Sequence, residues 1–247
     1  MKQEWLTIRE NTAVAPGVYR VTLEGETLEE LHPGSFVNLR MDGLFLRRPL
    51  SVFDSEPGWL KLIYKVVGKG TERLSALTPG SKLDVLTGLG NGYDLAKAGS
   101  HTLLLGGGVG VPPLYFAARK LLAAGKRVTA VLGFNSAAEV FGEAEFHALG
   151  CAVTVTTVDG TSGTKGFVTD ALPEKYDYFL CCGPMPMLRA VARATRTDGQ
   201  FSFEERMGCG FGACMGCSIQ TRGGAKRVCR EGPVFEKAEI LWDGEEK

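Results

Sequence analysis

Apolar and polar positions change rhythm twice along this chain. From about residue 4 to 95 the apolar residues fall in short runs that read as strands. Gly17-Val18-Tyr19-Arg20-Val21-Thr22-Leu23, Ser35-Phe36-Val37-Asn38-Leu39-Arg40 and Trp59 through Val67 are the clearest of them. Turn residues separate the runs at spacings of about ten residues, which predicts an antiparallel barrel or sandwich. A short helix is expected over Gly70 to Leu77, with Thr71 as its cap and Leu74 and Leu77 on one face. From about residue 100 to 200 the pattern becomes strand, glycine turn, helix. His101-Thr102-Leu103-Leu104-Leu105 is a buried strand, followed by a glycine run and a helix through Leu122. Val128–Leu132, Ala152–Thr156 and Tyr178–Cys182 repeat the theme. Such alternation predicts a parallel sheet covered on both faces. The remainder is loop-rich, with a short strand pair expected around Cys217–Gln220 and Arg227–Arg230. The expected organisation is therefore multidomain, α+β and α/β: a barrel over 1–97, a nucleotide-type α/β domain over 98–200 and a small domain over 201–247.

Composition narrows the function classes. The 247 residues carry 28 Lys and Arg against 28 Asp and Glu, so no basic excess points to nucleic acid or an anionic membrane. No run approaches the roughly 18 apolar residues needed to span a bilayer. The start, Met1-Lys2-Gln3-Glu4-Trp5, lacks the apolar core of a signal peptide, so a cytoplasmic protein is expected. Only three histidines are present, far apart in sequence, which disfavours a histidine metal site or a His-based triad. No acid–base pair or nucleophile constellation stands out, and no catalytic residue is assigned.

Seven cysteines, an odd number, argue against a disulfide framework. Four of them form Cys209-x4-Cys214-x2-Cys217-x11-Cys229. Plant-type [2Fe–2S] proteins use C-x4-C-x2-C with a more distant fourth cysteine. Gly208, Gly210, Gly212 and Gly216 let such a loop wrap tightly and aim N–H groups at sulfur. A structural zinc site and a redox-active C-x-x-C are the alternatives. Zinc sites usually pair two short knuckles, whereas here three cysteines are close and one stands apart. A redox C-x-x-C belongs next to a βαβ pattern, which is missing at this point. Cys151 and Cys181 are expected to be buried apolar residues.

Upstream, Arg47-Arg48-Pro49-Leu50-Ser51-Val52 resembles the strand with which the ferredoxin-reductase family holds FAD. An arginine fork suits phosphate, and a serine hydroxyl can bond the flavin. Ile63-Tyr64-Lys65 resembles the strand lining flavin and adenosine, and Gly68-Lys69-Gly70-Thr71 the turn that receives the pyrophosphate. Gly88 through Tyr93 resembles the loop closing the family's barrel. Gly106-Gly107-Gly108-Val109-Gly110-Val111-Pro112-Pro113 departs from G-x-G-x-x-G but matches the family's own glycine turn. Cys182-Gly183-Pro184-Met185 matches the turn beside the nicotinamide. No acidic residue or Arg/Ser pair after Leu132-Gly133-Phe134-Asn135 clearly selects the dinucleotide, and the absence of arginine there favours NAD. Glu139-Val140-Phe141 is read as helix packing.

In order and spacing the whole chain resembles the electron-transfer subunits of dihydroorotate dehydrogenase B, down to Arg230-Glu231-Gly232-Pro233-Val234-Phe235 after the last cysteine. The resemblance implies FAD, NAD and a [2Fe–2S] cluster. It implies as partner an FMN-containing catalytic subunit that oxidises dihydroorotate in pyrimidine biosynthesis, in a heterotetramer with two of each subunit. Two other readings stay open. One is the flavin subunit of a sulfhydrogenase or of an NADH-dependent ferredoxin:NADP oxidoreductase, although four cysteines argue against those relatives that use an acidic ligand. The other is a zinc-binding interaction module on a flavin fold that no longer binds flavin.

Overall fold

A computed structural model describes residues 1–242. Six strands, β1 (Lys2–Ala15), β2 (Val18–Glu24), β3 (Phe36–Leu39), β4 (Arg48–Glu56), β5 (Trp59–Lys65) and β6 (Lys82–Leu89), close into an antiparallel barrel in the order β1-β2-β5-β4-β3-β6. The period-two pattern decides which side chains enter it. Leu60, Leu62 and Tyr64 of β5 point inward with Val21, Leu23, Val37 and Leu39, all buried. Helix α1 (Lys69–Ser75) follows β5. Thr71 is not its cap, as expected, but lies inside the first turn. Its hydroxyl accepts from the Val67 and Gly68 N–H groups at 3.0 and 3.3 Å, closing the turn from within.

The second half is built on β7 (His101–Gly107), α2 (Pro112–Ala123), β8 (Arg127–Phe134), α3 (Glu143–Leu149), β9 (Ala152–Thr157), β10 (Thr164–Lys165), β11 (Tyr178–Cys182), α4 (Met185–Ala194) and β12 (Gly199–Ser202). After β12 come a hairpin, β13 (Ser218–Thr221) and β14 (Gly224–Arg227), and a last strand, β15 (Val234–Glu236). One sheet runs β10-β9-β8-β7-β11-β12-β15, parallel except for β15. Alternate residues of β7 serve its two faces. Leu104 packs in the same core as Leu114, Ala118 and Leu121 of α2 and Phe146 of α3. Leu103 and Leu105 pack with Leu188 and Val191 of α4.

Two features of the chain's end depart from the sequence reading. The expected boundary after residue 200 falls inside β12, and β15 pairs with β12 at Phe201↔Phe235. A three-residue strand is invisible alone and forms where Phe235 meets Phe203 edge-on at 5.8 Å, with Phe203 in turn 6.4 Å from Phe201. The second strand of the hairpin ends at Arg227, not Arg230. The Arg227 carbonyl instead accepts from the N–H groups of Arg230 and Glu231 in a tight turn that carries Cys229.

Barrel and sheet are clamped together. On α2, Arg119 Nε lies 2.9 Å from Asp54 Oδ1, and its Nη2 donates to the Ser55 carbonyl at 2.8 Å. Beside them Phe53 and Tyr115 stack at 4.3 Å. Asn91, in the loop after β6, reaches across to the segment before β15. Its side-chain amide donates to the Glu231 and Val234 carbonyls, at 3.0 and 2.7 Å, and accepts from the Val234 N–H at 3.1 Å.

Candidate functional site

Three sites lie in sequence across the molecule. The first is a cavity of about 330 Å3 between barrel and sheet. Arg48, Pro49, Leu50 and Ser51 line it from β4, and Ile63, Tyr64 and Lys65 from β5, with Thr71 at the start of α1. Gly70 does not line it but lies beneath Arg48: a Cβ there would stand 2.1 Å from Arg48 Nε, so any side chain would push the guanidinium aside. Tyr64 turns its hydroxyl away to donate to Asn11 Oδ1 at 3.0 Å. Phe203, Glu204, Glu205 and Met207, which the sequence did not single out, supply the opposite wall. Burial among them holds the Glu204 carboxyl above the usual carboxylate range. An arginine fork, a serine hydroxyl and an apolar wall form a donor set that suits FAD.

The second cavity, of about 370 Å3, opens at the carboxyl ends of the parallel strands, where open α/β sheets bind their ligands. Gly107, Gly108 and Pro184 line it. The other expected residues act one layer back. A Cβ on Gly106 would meet Val111 at 2.8 Å, and one on Gly110 would meet the Cys182 carbonyl at 2.3 Å. Gly183 packs on Met187, and Cys182 is buried, which pushes its thiol far up. Gly108, at φ +52°, has open space where a side chain would be, so a ligand can approach its backbone. Val109, between these glycines and Gly110, lines the other cavity. The glycine loop is thus a wall shared by the two.

Glu139 corrects the sequence reading. Phe141 is core, packed edge-on to Phe134 at 5.3 Å. Glu139 instead sits in a 3-10 turn and lines the second cavity, its Oε2 accepting from Asn135 Nδ2 at 2.9 Å. Helical spacing suggested packing; the turn ends before a helix can form and points the carboxylate outward to the cavity.

The third site is the cysteine loop. Cys209 and Cys214 lie on its outer part, while Cys217 and Cys229 are buried. The Cys209 sulfur accepts from the Ala213 and Cys214 N–H groups at 3.2 and 3.5 Å, and Cys217 from the Cys229 N–H at 3.4 Å. Burial would raise the Cys209 thiol, but the N–H groups of Phe211, Cys214 and Ala213 overcome it and pull the thiol down to about 6. Cys229 is pushed up to about 12 by burial and by its hydrogen bond to Cys217. Among the described residues no three His, Cys, Asp or Glu side chains converge as they would about a single ion. Four cysteine thiols with backbone amides aimed at sulfur form a donor set that suits a [2Fe–2S] cluster. Gly210, at φ +79°, packs where a Cβ would stand 2.3 Å from Asn38 Nδ2, and Asn38 donates to the Cys209 carbonyl at 3.3 Å. That contact ties the loop to β3. Met215, at φ 61°, is the one non-glycine residue among those described with positive φ, so the loop is held against its local preference.

The comparisons with known proteins agree with this geometry. Residues 204–241 match the family model described as the iron-sulfur cluster binding domain of dihydroorotate dehydrogenase B. The chain is 44% identical to the dihydroorotate dehydrogenase B (NAD(+)), electron transfer subunit of Shouchella clausii, over 97% of this chain and 98% of that protein. It is 43% identical to the subunit of the same name from Bacillus caldolyticus, with 97% and 98% covered. Among solved structures, an NADH-dependent reduced ferredoxin-NADP oxidoreductase superposes with a TM-score of 0.88 at 32% identity, covering 96% of this chain and 90% of that one. Phthalate dioxygenase reductase shares the fold, with a TM-score of 0.65 at 21% identity over 78% of this chain and 64% of that one.

Proposed function

The chain belongs to the family of dihydroorotate dehydrogenase B electron-transfer subunits, and from that we propose that it is the NAD-linked flavin and iron–sulfur subunit of such an enzyme in pyrimidine biosynthesis. It carries electrons from a catalytic, FMN-containing subunit that oxidises dihydroorotate to the NAD+ bound on its own sheet. We further assign it to a cytoplasmic heterotetramer with two of each subunit.

What supports this most is the continuity of the three sites. Val109 faces the flavin cavity while Gly107 and Gly108 face the nucleotide cavity. Met207 walls the flavin cavity, and Cys209 stands two residues further on. Bound cofactors supply the chemistry: a flavin handles both single electrons and hydride, an iron–sulfur cluster one electron at a time. The chain's own residues orient and enclose them. Arg48 would hold the FAD phosphates and Ser51 the flavin edge, with Ile63, Tyr64 and Lys65 along one side and Gly70 and Thr71 beneath. Gly106 through Gly110 and Cys182-Gly183-Pro184 would keep the nicotinamide against the flavin. Cys209, Cys214, Cys217 and Cys229 would ligate the cluster.

The test is reconstitution. Protein purified anaerobically should show flavin and cluster absorbance together, and should couple orotate formation to NAD+ reduction only when the FMN subunit is added. A chain that oxidises dihydroorotate unaided, or that ignores the FMN subunit and reduces a ferredoxin instead, overturns the reading.

A further inference from the structure

Arg227 ends β14 and reaches across to the cysteine loop. Its Nη1 donates to the Gly212 carbonyl at 2.6 Å, a short, charge-assisted hydrogen bond. That carbonyl and the N–H of Ala213 belong to one planar peptide unit and point to opposite sides of it. The Ala213 N–H donates to the Cys209 sulfur at 3.2 Å. A guanidinium, one peptide and one sulfur therefore form an unbroken hydrogen-bonded chain. Drawing electron density from the carbonyl makes the N–H at the other end a stronger donor, since hydrogen bonds in series polarise one another.

The chain is fixed from several sides. Gly212 takes φ +97°, and a Cβ there would stand 3.0 Å from both Cβ and Cγ of Arg230, so the peptide keeps its orientation only with glycine at this place. Glu231 holds the other edge of the guanidinium. Its Oε2 accepts from Arg227 Nε at 3.0 Å and from the Arg227 main-chain N–H at 2.7 Å, and its Oε1 accepts from Nη2. Glu231 is itself placed by the tight turn, in which its N–H donates to the Arg227 carbonyl at 2.9 Å. The two side chains are only 27% and 34% exposed, so water and salt screen the pair in part and leave its charges effective nearby.

A cluster that accepts an electron gains one negative charge, and its potential follows the hydrogen bonds to its sulfurs and the charge around them. Arg227 favours the added charge through the peptide. Glu231 opposes it by neutralising the same guanidinium. We propose that the Arg227–Glu231 pair, acting through the Gly212–Ala213 peptide on the Cys209 sulfur, tunes the reduction potential of the cluster and so governs how readily an electron passes on to FAD. Both are positioning residues, because they act through the peptide. The inference rests on the reading of the four cysteines as the cluster's ligands.

The experiment is a redox titration of the FAD-loaded, cluster-containing protein, with the cluster followed by EPR and the flavin by absorbance. It compares the wild type with Arg227→Gln, Arg227→Lys and Glu231→Gln. Arg227→Gln should shift the cluster's one-electron equilibrium toward the oxidised form by about tenfold, a midpoint lower by about 59 mV. Arg227→Lys keeps the charge and loses the planar fork, so it should lie between Arg227→Gln and the wild type. Glu231→Gln should shift the equilibrium the opposite way, because the amide still accepts from the guanidinium and no longer neutralises it. The FAD midpoint should stay where it is in all three. Opposite signs separate tuning from simple damage to the loop, which would move both glutamine variants the same way. Shifts of the same sign, shifts in the reverse sense, or a shift of less than about threefold in either glutamine variant overturn the inference. So does an FAD midpoint that moves as far as the cluster's. If Arg227→Gln assembles no cluster, the sense of the Glu231→Gln shift decides. A reduced wild type without a [2Fe–2S] EPR signal means that the cysteines do not hold the cluster, and then the reading beneath the inference falls with it.

Discussion

Cys209 and Cys229 have the same side chain and opposite acidities, because one sulfur collects N–H donors while the other is buried and donates to its neighbour. Serine at any of positions 209, 214, 217 and 229 should remove the cluster's absorbance and iron while leaving FAD bound. Alanine at Cys151, a buried thiol packed on the far side of the sheet, should keep both cofactors and cost stability only through the small cavity it opens, about 1 kcal/mol. His101 shows the same sensitivity to surroundings. Arg127 Nη2 donates to its Nδ1 at 3.0 Å, so the ring is neutral with the proton on Nε2, 2.8 Å from Thr129 Oγ1. Burial, and then the charge of Arg127, hold its pKa below the ordinary 6.5. The unfolded chain therefore takes up this proton first as pH drops. The contribution of His101 is complete above pH 6.5 and is lost as pH falls from there toward its folded value. His101→Gln should flatten that part of the stability profile in urea unfolding between about pH 5 and 8, and an unaltered slope would falsify the neutral-ring assignment.

Among the elements, the loop after β6 matters more than its length suggests. Gly90 and Gly92 take φ of +78° and +71° to place Asn91 between them. Asn91 then makes three side-chain hydrogen bonds, one to Glu231 and two to Val234, the first residue of β15. Asn91→Ala leaves the Glu231 and Val234 backbone groups without that partner. We expect a loss of about 1–3 kcal/mol, read by thermal or urea unfolding, together with faster loss of cluster absorbance in air. Loss of stability with an undisturbed cluster would show that the loop supports the sheet edge alone. The same pattern recurs elsewhere in the fold: Asn38 from the barrel fixes the Cys209 carbonyl, and Arg227 donates from the hairpin to the Gly212 carbonyl at 2.6 Å. The cluster loop, poor in regular structure, is built by what surrounds it.

At the scale of the whole molecule, the barrel encloses one core, the two faces of the sheet share their cores with barrel residues such as Phe53 and Phe36, and the cysteine segment packs into the second of these. Removing iron should therefore raise amide hydrogen exchange between about residues 205 and 230 and leave the strands of barrel and sheet protected; loss of protection across the sheet would mean that the cluster organises the fold. How far such organisation can be read without coordinates depends on whether it is local. Period-two runs such as Leu60-Lys61-Leu62, the glycine loop opening α2, and four cysteines at fixed spacing are properties of neighbouring residues, and each is legible from the chain. So are Arg48 through Ser51 and Ile63 through Lys65, because each is a run of neighbouring residues within one strand. Phe203 through Met207 as a cavity wall, Val234 as the start of a strand, Asn91 as a bridge to it and Glu139 at a cavity are roles that no local pattern marks. Each takes its place from a contact with a segment distant in sequence, as Glu139 does from a turn whose Ala137 N–H is held by Thr161. Sequence alone determined the elements and the chemical character of the three sites. Tertiary structure alone decided their order in space and the walls they share, because only packing brings Val109 against one cavity and its neighbours Gly107 and Gly108 against the other.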